Sequence, residues 1–266
     1  MKNNIKKYFK MDPDIKIGII QLTSNDNLQD NCNQMDYYFN QCLKDGANFI
    51  LSPEVSNFIS TNSELKKKSI KFEKEDPIIN KVKNSCSKFK VWSLIGSVIL
   101  KIKEFGQEKF VNRSILVNPN GRIIARYDKI HMFDVIIDSK ETYRESKKFM
   151  PGRNTVLAKT PFANIGLTIC YDIRFPYLFS KLKESGADII CIPSAFTTKT
   201  GKDHWETLVK ARAIENKIYI LAPAQCGQNT STRKTWGHSL IINPNGNILC
   251  DLGKNPGYRV LRLKND

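Results

Sequence analysis

The sequence predicts an α/β fold: a four-layer α-β-β-α sandwich of two pseudo-equivalent halves in one domain. Three pairs of segments carry that expectation. Ile17-Gly18 is answered by Ile165-Gly166, each opening an apolar strand. Gly46-Ala-Asn-Phe-Ile-Leu-Ser-Pro53 is answered by Gly186-Ala-Asp-Ile-Ile-Cys-Ile-Pro193, and Asn118-Pro-Asn-Gly-Arg-Ile by Asn243-Pro-Asn-Gly-Asn-Ile. The pairs keep one order at offsets of roughly 125–150 residues, far longer than the ~20–50-residue period of a solenoid. Each half reads as strand, helix, strand, helix, hairpin. Helices over one face of each of two sheets leave the other faces free to pack together.

Taken in order, residues 1–14 are basic and short of apolar side chains, so they read as a leader before a single domain over 15–266. A transit peptide is the alternative reading of that leader, and the absence of Arg and Ser weighs against it. Lys16–Leu22 is a buried-type strand. Residues 28–45 place Leu28, Met35, Tyr38, Phe39 and Cys42 at helical spacing, with Gly46 as the stop. Residues 48–52 form the second strand, ending at Pro53-Glu54. Residues 63–74 and 76–89 suggest two helices, Pro77 opening the second. Strands follow at 91–100 and 109–117, and the Asn118–Gly121 turn reverses the chain into 122–127. Lys129 closes that strand, and a polar, aromatic loop runs on to Pro151-Gly152. In Ile165-Gly-Leu-Thr-Ile-Cys170-Tyr-Asp-Ile-Arg-Phe-Pro176 an apolar strand leads into a cysteine, and the proline then opens a helix.

Composition bounds the function. The chain has 266 residues, 41% of them hydrophobic, enough for a full core. No apolar run approaches the ~18–20 residues that span a bilayer, so no membrane partner is expected. Lys and Arg exceed Asp and Glu by 16. The lysines are spread among asparagines with only a modest cluster at Lys66–Lys74, so nucleic acid is not an expected partner. Seven cysteines, an odd number without a CxxC, point away from a disulfide framework or a zinc site and toward a reducing cytoplasm.

Three polar groups stand at strand ends drawn from both halves: Glu54, Lys129 and Cys170. A thiol at a strand-to-helix elbow lies beside the unpaired N–H groups of a helix start, which favour thiolate over thiol and suit a nucleophile. A lone cysteine is more often a small buried hydrophobe, Glu54 can be a capping or solvated carboxylate, and such lysines are commonly solvated. His131 offers another pairing with Cys170, of the Cys-His kind.

Ser52-Pro-Glu54, Tyr127-Asp-Lys-Ile-His-Met-Phe-Asp134 and Ile169-Cys-Tyr-Asp-Ile-Arg-Phe-Pro176 resemble the three signature blocks of the nitrilase superfamily of carbon–nitrogen hydrolases. They occur in family order, and the resemblance runs from about Lys16 to Leu263. It implies a cofactor-free, metal-free hydrolase with a Glu54-Lys129-Cys170 triad and gives His131 no such role. Glu54 is then the base, Cys170 the nucleophile that forms a thioester, and Lys129 with the backbone N–H of Tyr171 the oxyanion holder. Glu145, in Tyr143-Arg-Glu-Ser146, resembles the family's second glutamate, which orients the lysine.

Within the family, Tyr143–Ser146, Pro193-Ser-Ala-Phe196, His204-Trp205, Ala211–Glu215 and Ala224–Gly227 look most like deaminated glutathione amidases. The sister omega-amidases, acting on 2-oxoglutaramate and 2-oxosuccinamate, share a block like Trp236-Gly-His-Ser239. Both groups take a 2-keto carboxylate. The resemblance therefore implies that Arg174 binds it as a bidentate fork, with a hydrogen bond from Thr200 and a wall from Phe196. A structural ion pair of Arg174 with Asp172 or Glu206 is the alternative. Family members usually pair through helices, which implies a homodimer or a higher even homo-oligomer. Ser52, where the family has a bulkier apolar residue, is expected to loosen the packing under Glu54, and Thr197-Thr-Lys199 is expected as a loop over the pocket. His204, Trp205 and His238 read as structural.

Overall fold

The computed structural model describes residues 12, 14–138 and 141–263. Of the leader expected over 1–14, only Asp12 and Asp14 are among them.

The first half runs β1 (Lys16–Gln21), α1 (Leu28–Lys44), β2 (Phe49–Leu51), α2 (Ser63–Ser69), α3 (Pro77–Phe89), β3 (Trp92–Glu104), β4 (Gln107–Val117) and β5 (Ile123–Asp128). A hairpin follows, β6 (Asp134–Asp138) with β7 (Glu141–Arg144), then β8 (Val156–Lys159). The second half runs β9 (Asn164–Leu167), α4 (Pro176–Glu184), β10 (Ile189–Cys191), α5 (Thr198–Asn216) and β11 (Tyr219–Ala222). It ends with β12 (Cys226–Thr230), β13 (Arg233–Trp236), β14 (Leu240–Ile242), β15 (Ile248–Asp251) and β16 (Gly257–Arg262).

Two six-stranded sheets result, β16-β1-β2-β3-β4-β5 and β15-β14-β11-β10-β9-β8. β1, β2 and β3 are parallel, as are β9, β10 and β11, and antiparallel strands complete each sheet. The expected pseudo-symmetry is present with one addition: each half gives its last strand to the other half's sheet. β8 pairs antiparallel with β9, and β16 pairs antiparallel with β1.

Alternation along the strands builds the layers. Ile17, Ile19, Phe49 and Leu51 pack with Ile165, Leu167 and Ile189 of the facing sheet. Ile20 and Ile50 point the other way, onto Met35, Phe39, Cys42, Ile79 and Val82 of α1 and α3. On the far sheet α5 packs on β11 and β14 and against α4. This is the four-layer sandwich. Asn27 caps α1 through Gln29 N and Asp30 N, and Asp76 caps α3 through Ile79 N with Pro77 at the first turn. No helix among the described residues is long and apolar enough to cross a membrane.

Two expectations needed revision. The helix expected over 63–74 stops at Ser69, because Ile70 leaves it to join Phe58, Ile99 and Phe149 in a small apolar cluster. The loop expected after Lys129 holds the β6–β7 hairpin, outside both large sheets. Its Ile136 is 74% exposed, so no alternating apolar pattern announces it.

Candidate active site

Glu54 follows β2 on a loop laid over an irregularity in β3, where the register with β4 shifts between Ile95 and Val98. Ser97 N donates to Pro53 O, Ser56 N to Ser97 O, and Val55 N to Ser97 Oγ. Ser52 does not loosen this packing as expected. It is fully buried, and its Oγ accepts from Gly96 N at 3.1 Å and from Ser56 Oγ at 3.1 Å. From the second half, Gln225 Nε2 donates to Glu54 O at 2.9 Å. A loop held by that many buried hydrogen bonds positions its carboxylate firmly.

Lys129 follows β5, and its Nζ lies 2.9 Å from Glu54 Oε1 and 2.9 Å from Glu145 Oε2. The Lys129 side chain is 2% exposed. Burial alone would push its pKa down, but Glu145 and then Glu54 overcome that and hold it well above the ordinary lysine value. Glu145 Oε2 also accepts from Phe133 N at 2.7 Å.

Cys170 begins a 3₁₀ turn, Cys170–Arg174, immediately before α4. Its φ is +48°, a left-handed conformation that costs a non-glycine residue energy and has to be held by its surroundings. Asp172 does much of the holding. Its Oδ2 accepts from Ile169 N at 2.8 Å and from the Tyr127 hydroxyl at 2.7 Å, and its Oδ1 accepts from His131 N at 3.1 Å. The His131 ring bonds to Asp172 Oδ1 at 2.7 Å and stacks on Phe175 at 3.6 Å. His131 therefore braces the turn.

Burial opposes the helix-start effect that favours the thiolate at Cys170. Burial first, and Glu54 second, push the Cys170 thiol well above its ordinary value, against the smaller opposing pull of Lys129. The group rests as a thiol within the electrostatic reach of both the carboxylate and the ammonium.

A cavity of about 560 Å³ opens over Glu54, Lys129 and Glu145. Tyr171, Arg174, Phe196 and Thr200 do not line it. Cys170 is not among its lining residues either; Tyr171 and Arg174 belong to the Cys170 turn, Phe196 meets Arg174, and Thr200 lies in the first turn of α5. Tyr171 meets Phe133 edge-on at 5.2 Å, and the Arg174 guanidinium lies 5.9 Å from the Tyr171 ring and 5.8 Å from the Phe196 ring. Arg174 Nη2 bonds to His204 Nδ1 at 3.0 Å, while Asp172 is engaged as above and Glu206 takes Lys210. Thr200 Oγ1 bonds to Thr197 Oγ1, and Thr197 caps α5, so Thr197–Lys199 starts a helix rather than forming a loop.

The chain matches the carbon–nitrogen hydrolase family over residues 16–262. The chain belongs to that family. It is 39% identical over 241 residues to a deaminated glutathione amidase of Yersinia enterocolitica, covering 90% of this chain and 82% of the relative. Among solved structures it is similar to the NitFhit protein of C. elegans, with a TM-score of 0.84 and 29% identity over 93% of this chain; it spans 60% of that longer chain. It is also similar to Nit3 of Saccharomyces cerevisiae, a member of branch 10 of the nitrilase superfamily, with a TM-score of 0.82 and 25% identity over 95% of this chain and 92% of that one.

Two features of this carbon–nitrogen hydrolase's pocket went unread in the sequence. Asn112, on β4, donates from Nδ2 to Glu54 Oε1 at 2.9 Å, and its buried Oδ1 has no partner among the described residues. An asparagine in the buried stretch of a strand, next to Val111, was the available signal. Lys66 and Arg233 also line the cavity, and nothing local sets them apart from other surface cations. His204 meets Arg174, and Trp205 and His238 meet each other. The Trp205 indole donates to His238 O at 2.7 Å, and His238 Nδ1 bonds to Asp251 at 3.0 Å.

Proposed function

We propose that this protein is an amidase that hydrolyses deaminated glutathione, a 2-keto acid amide, through a thioester on Cys170. One observation carries the mechanism: a buried ammonium, Lys129, is 2.9 Å from each of two carboxylates beside a buried thiol. Glu54 takes the thiol proton as the sulfur attacks the amide carbon, so the thiolate forms only when substrate is present. Lys129 and the N–H of Tyr171 stabilise the resulting oxyanion, and Glu145 keeps Lys129 aimed. Glu54 returns its proton to the departing nitrogen, the C–N bond breaks, and a 2-oxoglutaryl thioester remains. Glu54 then takes a proton from water, which attacks the thioester. Breaking the C–S bond frees 2-oxoglutarate and restores the thiol.

Arg174, with Thr200 and Phe196 nearby, binds the 2-keto carboxylate in this reading. That requires the Arg174–His204 hydrogen bond to share or yield its donor. The substrate assignment draws on relatives at 33–39% identity that carry the name deaminated glutathione amidase. Those names do not favour the sister reading, an omega-amidase. A non-catalytic basic binding module would have no use for a strained, buried cysteine beside a carboxylate and an ammonium. The protein acts in the cytoplasm in this reading, as one hydrolase domain over 15–266 behind a basic leader. It works as a homodimer or higher even assembly, which light scattering measures.

The test is release of 2-oxoglutarate from deaminated glutathione, with 2-oxoglutaramate alongside. Higher kcat/KM for the first supports the proposal. Preference for the second makes the protein an omega-amidase, and turnover of neither, with salt-sensitive nucleic-acid binding, removes the enzymatic reading.

A further inference from the structure

The cavity over Glu54 holds more positive charge than the chemistry described above uses. Besides Lys129 it is lined by Lys66, Arg144, Lys147, Lys148 and Arg233, against the carboxylates of Glu54 and Glu145. Lys66 stands in the last turn of α2 and is only 9% exposed. Its ammonium has no ion pair or hydrogen bond among the described residues and lies over the face of Phe149, 5.4 Å from the ring centre. Arg233 is on β13. Its Nη2 donates to Ala195 O at 3.0 Å and its guanidinium lies 5.7 Å from the Tyr143 ring, but its buried Nε–H has no acceptor among the described residues.

Two cations thus present unused donors to one enclosed space. The bland account is a lysine that buries its stem and sends its charge into bulk water. Here the charge ends inside the cavity, beside Lys148 and Arg233. Burial first, then those two like charges, lower the Lys66 pKa to about 8, against the smaller opposing pull of Glu145. Holding a cation in that position is costly without an anion, and among the described residues no carboxylate supplies a contact.

Resting on the proposed function, we propose that Lys66 and Arg233 form a carboxylate subsite for the part of the substrate attached to the departing nitrogen. Glu54 has to reach that nitrogen to protonate it, and Glu54 faces this cavity, so whatever the nitrogen carries extends into the same space. In deaminated glutathione the nitrogen carries a dipeptide that ends in a carboxylate. The Lys66 ammonium and the Arg233 Nε–H supply charge-assisted hydrogen bonds to it. An amide whose leaving group is ammonia leaves the subsite empty, so the subsite selects the longer substrate.

Calorimetric titration of Cys170→Ala protein with deaminated glutathione and with its C-terminal amide tests this. Both ligands keep the 2-keto carboxylate and differ only at the far end. The acid binds roughly tenfold or more tightly than the amide, the range for a hydrogen bond to a charged group. Adding Lys66→Met abolishes the preference, and adding Lys66→Arg keeps it. In the Cys170→Ala protein itself, the preference declines as pH rises through about 8, where Lys66 loses its proton. Equal affinities, or a preference that survives Lys66→Met and high pH, overturn the subsite, as does binding of neither ligand. The two readings fail separately. Release of 2-oxoglutarate by the unaltered protein without an acid preference removes the subsite alone, whereas absence of release removes the substrate.

Discussion

Glu145 Oε2 lies 2.9 Å from Lys129 Nζ, although Glu145 follows the β6–β7 hairpin and belongs to neither large sheet. This contact ties a peripheral hairpin to the proposed catalytic lysine. In Glu145→Gln the amide still reaches Lys129 and Phe133 N but carries no charge, so the ammonium is drawn wholly toward Glu54. We expect kcat to fall roughly 100-fold, the scale of one lost electrostatic contribution to oxyanion stabilisation. Stability should drop by about 1–3 kcal/mol. Steady-state kinetics and urea unfolding on the same sample check both.

Asp172 supports Cys170 from beneath. Its two oxygens serve Ile169 N, the Tyr127 hydroxyl, His131 N and the His131 ring. Asn has one acceptor oxygen, so Asp172→Asn turns an N–H toward at least one of these donors. The expected loss is about 2–5 kcal/mol in denaturant unfolding, as for breaking a buried charged network. Turnover falls as well, because the left-handed backbone of Cys170 loses its brace.

Gly96 sits where the two sheets come together. A Cβ there would stand 1.9 Å from Ser52 O, 2.7 Å from Pro53 O and 2.6 Å from Pro193 Cβ. These are parts of strand ends, not flexible tips, so nothing swings away. Gly96→Ala should cost about 4 kcal/mol or more, or prevent folding, measured by thermal unfolding of whatever soluble protein is recovered.

Much of this arrangement was legible in the sequence because strand ends are. Apolar runs closed by Pro53, Lys129 and Cys170 gave both the strands and the polar groups beyond them, and the paired segments gave the two halves. The sequence did not give burial. An elbow cysteine reads as a thiolate until the folded protein removes its water and places Glu54 nearby. Nor could local pattern show which sheet Val156–Lys159 would join, since an antiparallel edge strand fits either. Lys66 and Arg233 look like solvated charges in the chain, and only the long-range fold turns them toward one cavity.

The Cys170 thiol is raised by burial and by Glu54 and lowered by Lys129. Glu54→Gln removes one raising cause and leaves the lowering one. Alkylation of Cys170 by iodoacetamide should therefore begin at lower pH in Glu54→Gln than in the unaltered protein. Amide turnover should fall roughly 10²–10⁴-fold with the loss of the proposed acid–base group. A pH series of alkylation rates, followed by mass spectrometry of the Cys170 peptide, separates these opposite effects.

The central claim is that the sulfur of Cys170 carries the acyl group between the two halves of the reaction. Acid quenching during steady turnover of deaminated glutathione, then mass analysis of the peptides, tests it directly. The account predicts that a 2-oxoglutaryl group appears on Cys170, is absent from the other six cysteines, and is lost once substrate is exhausted. Turnover at full rate with Cys170 unmodified, or persisting in Cys170→Ala, would contradict it.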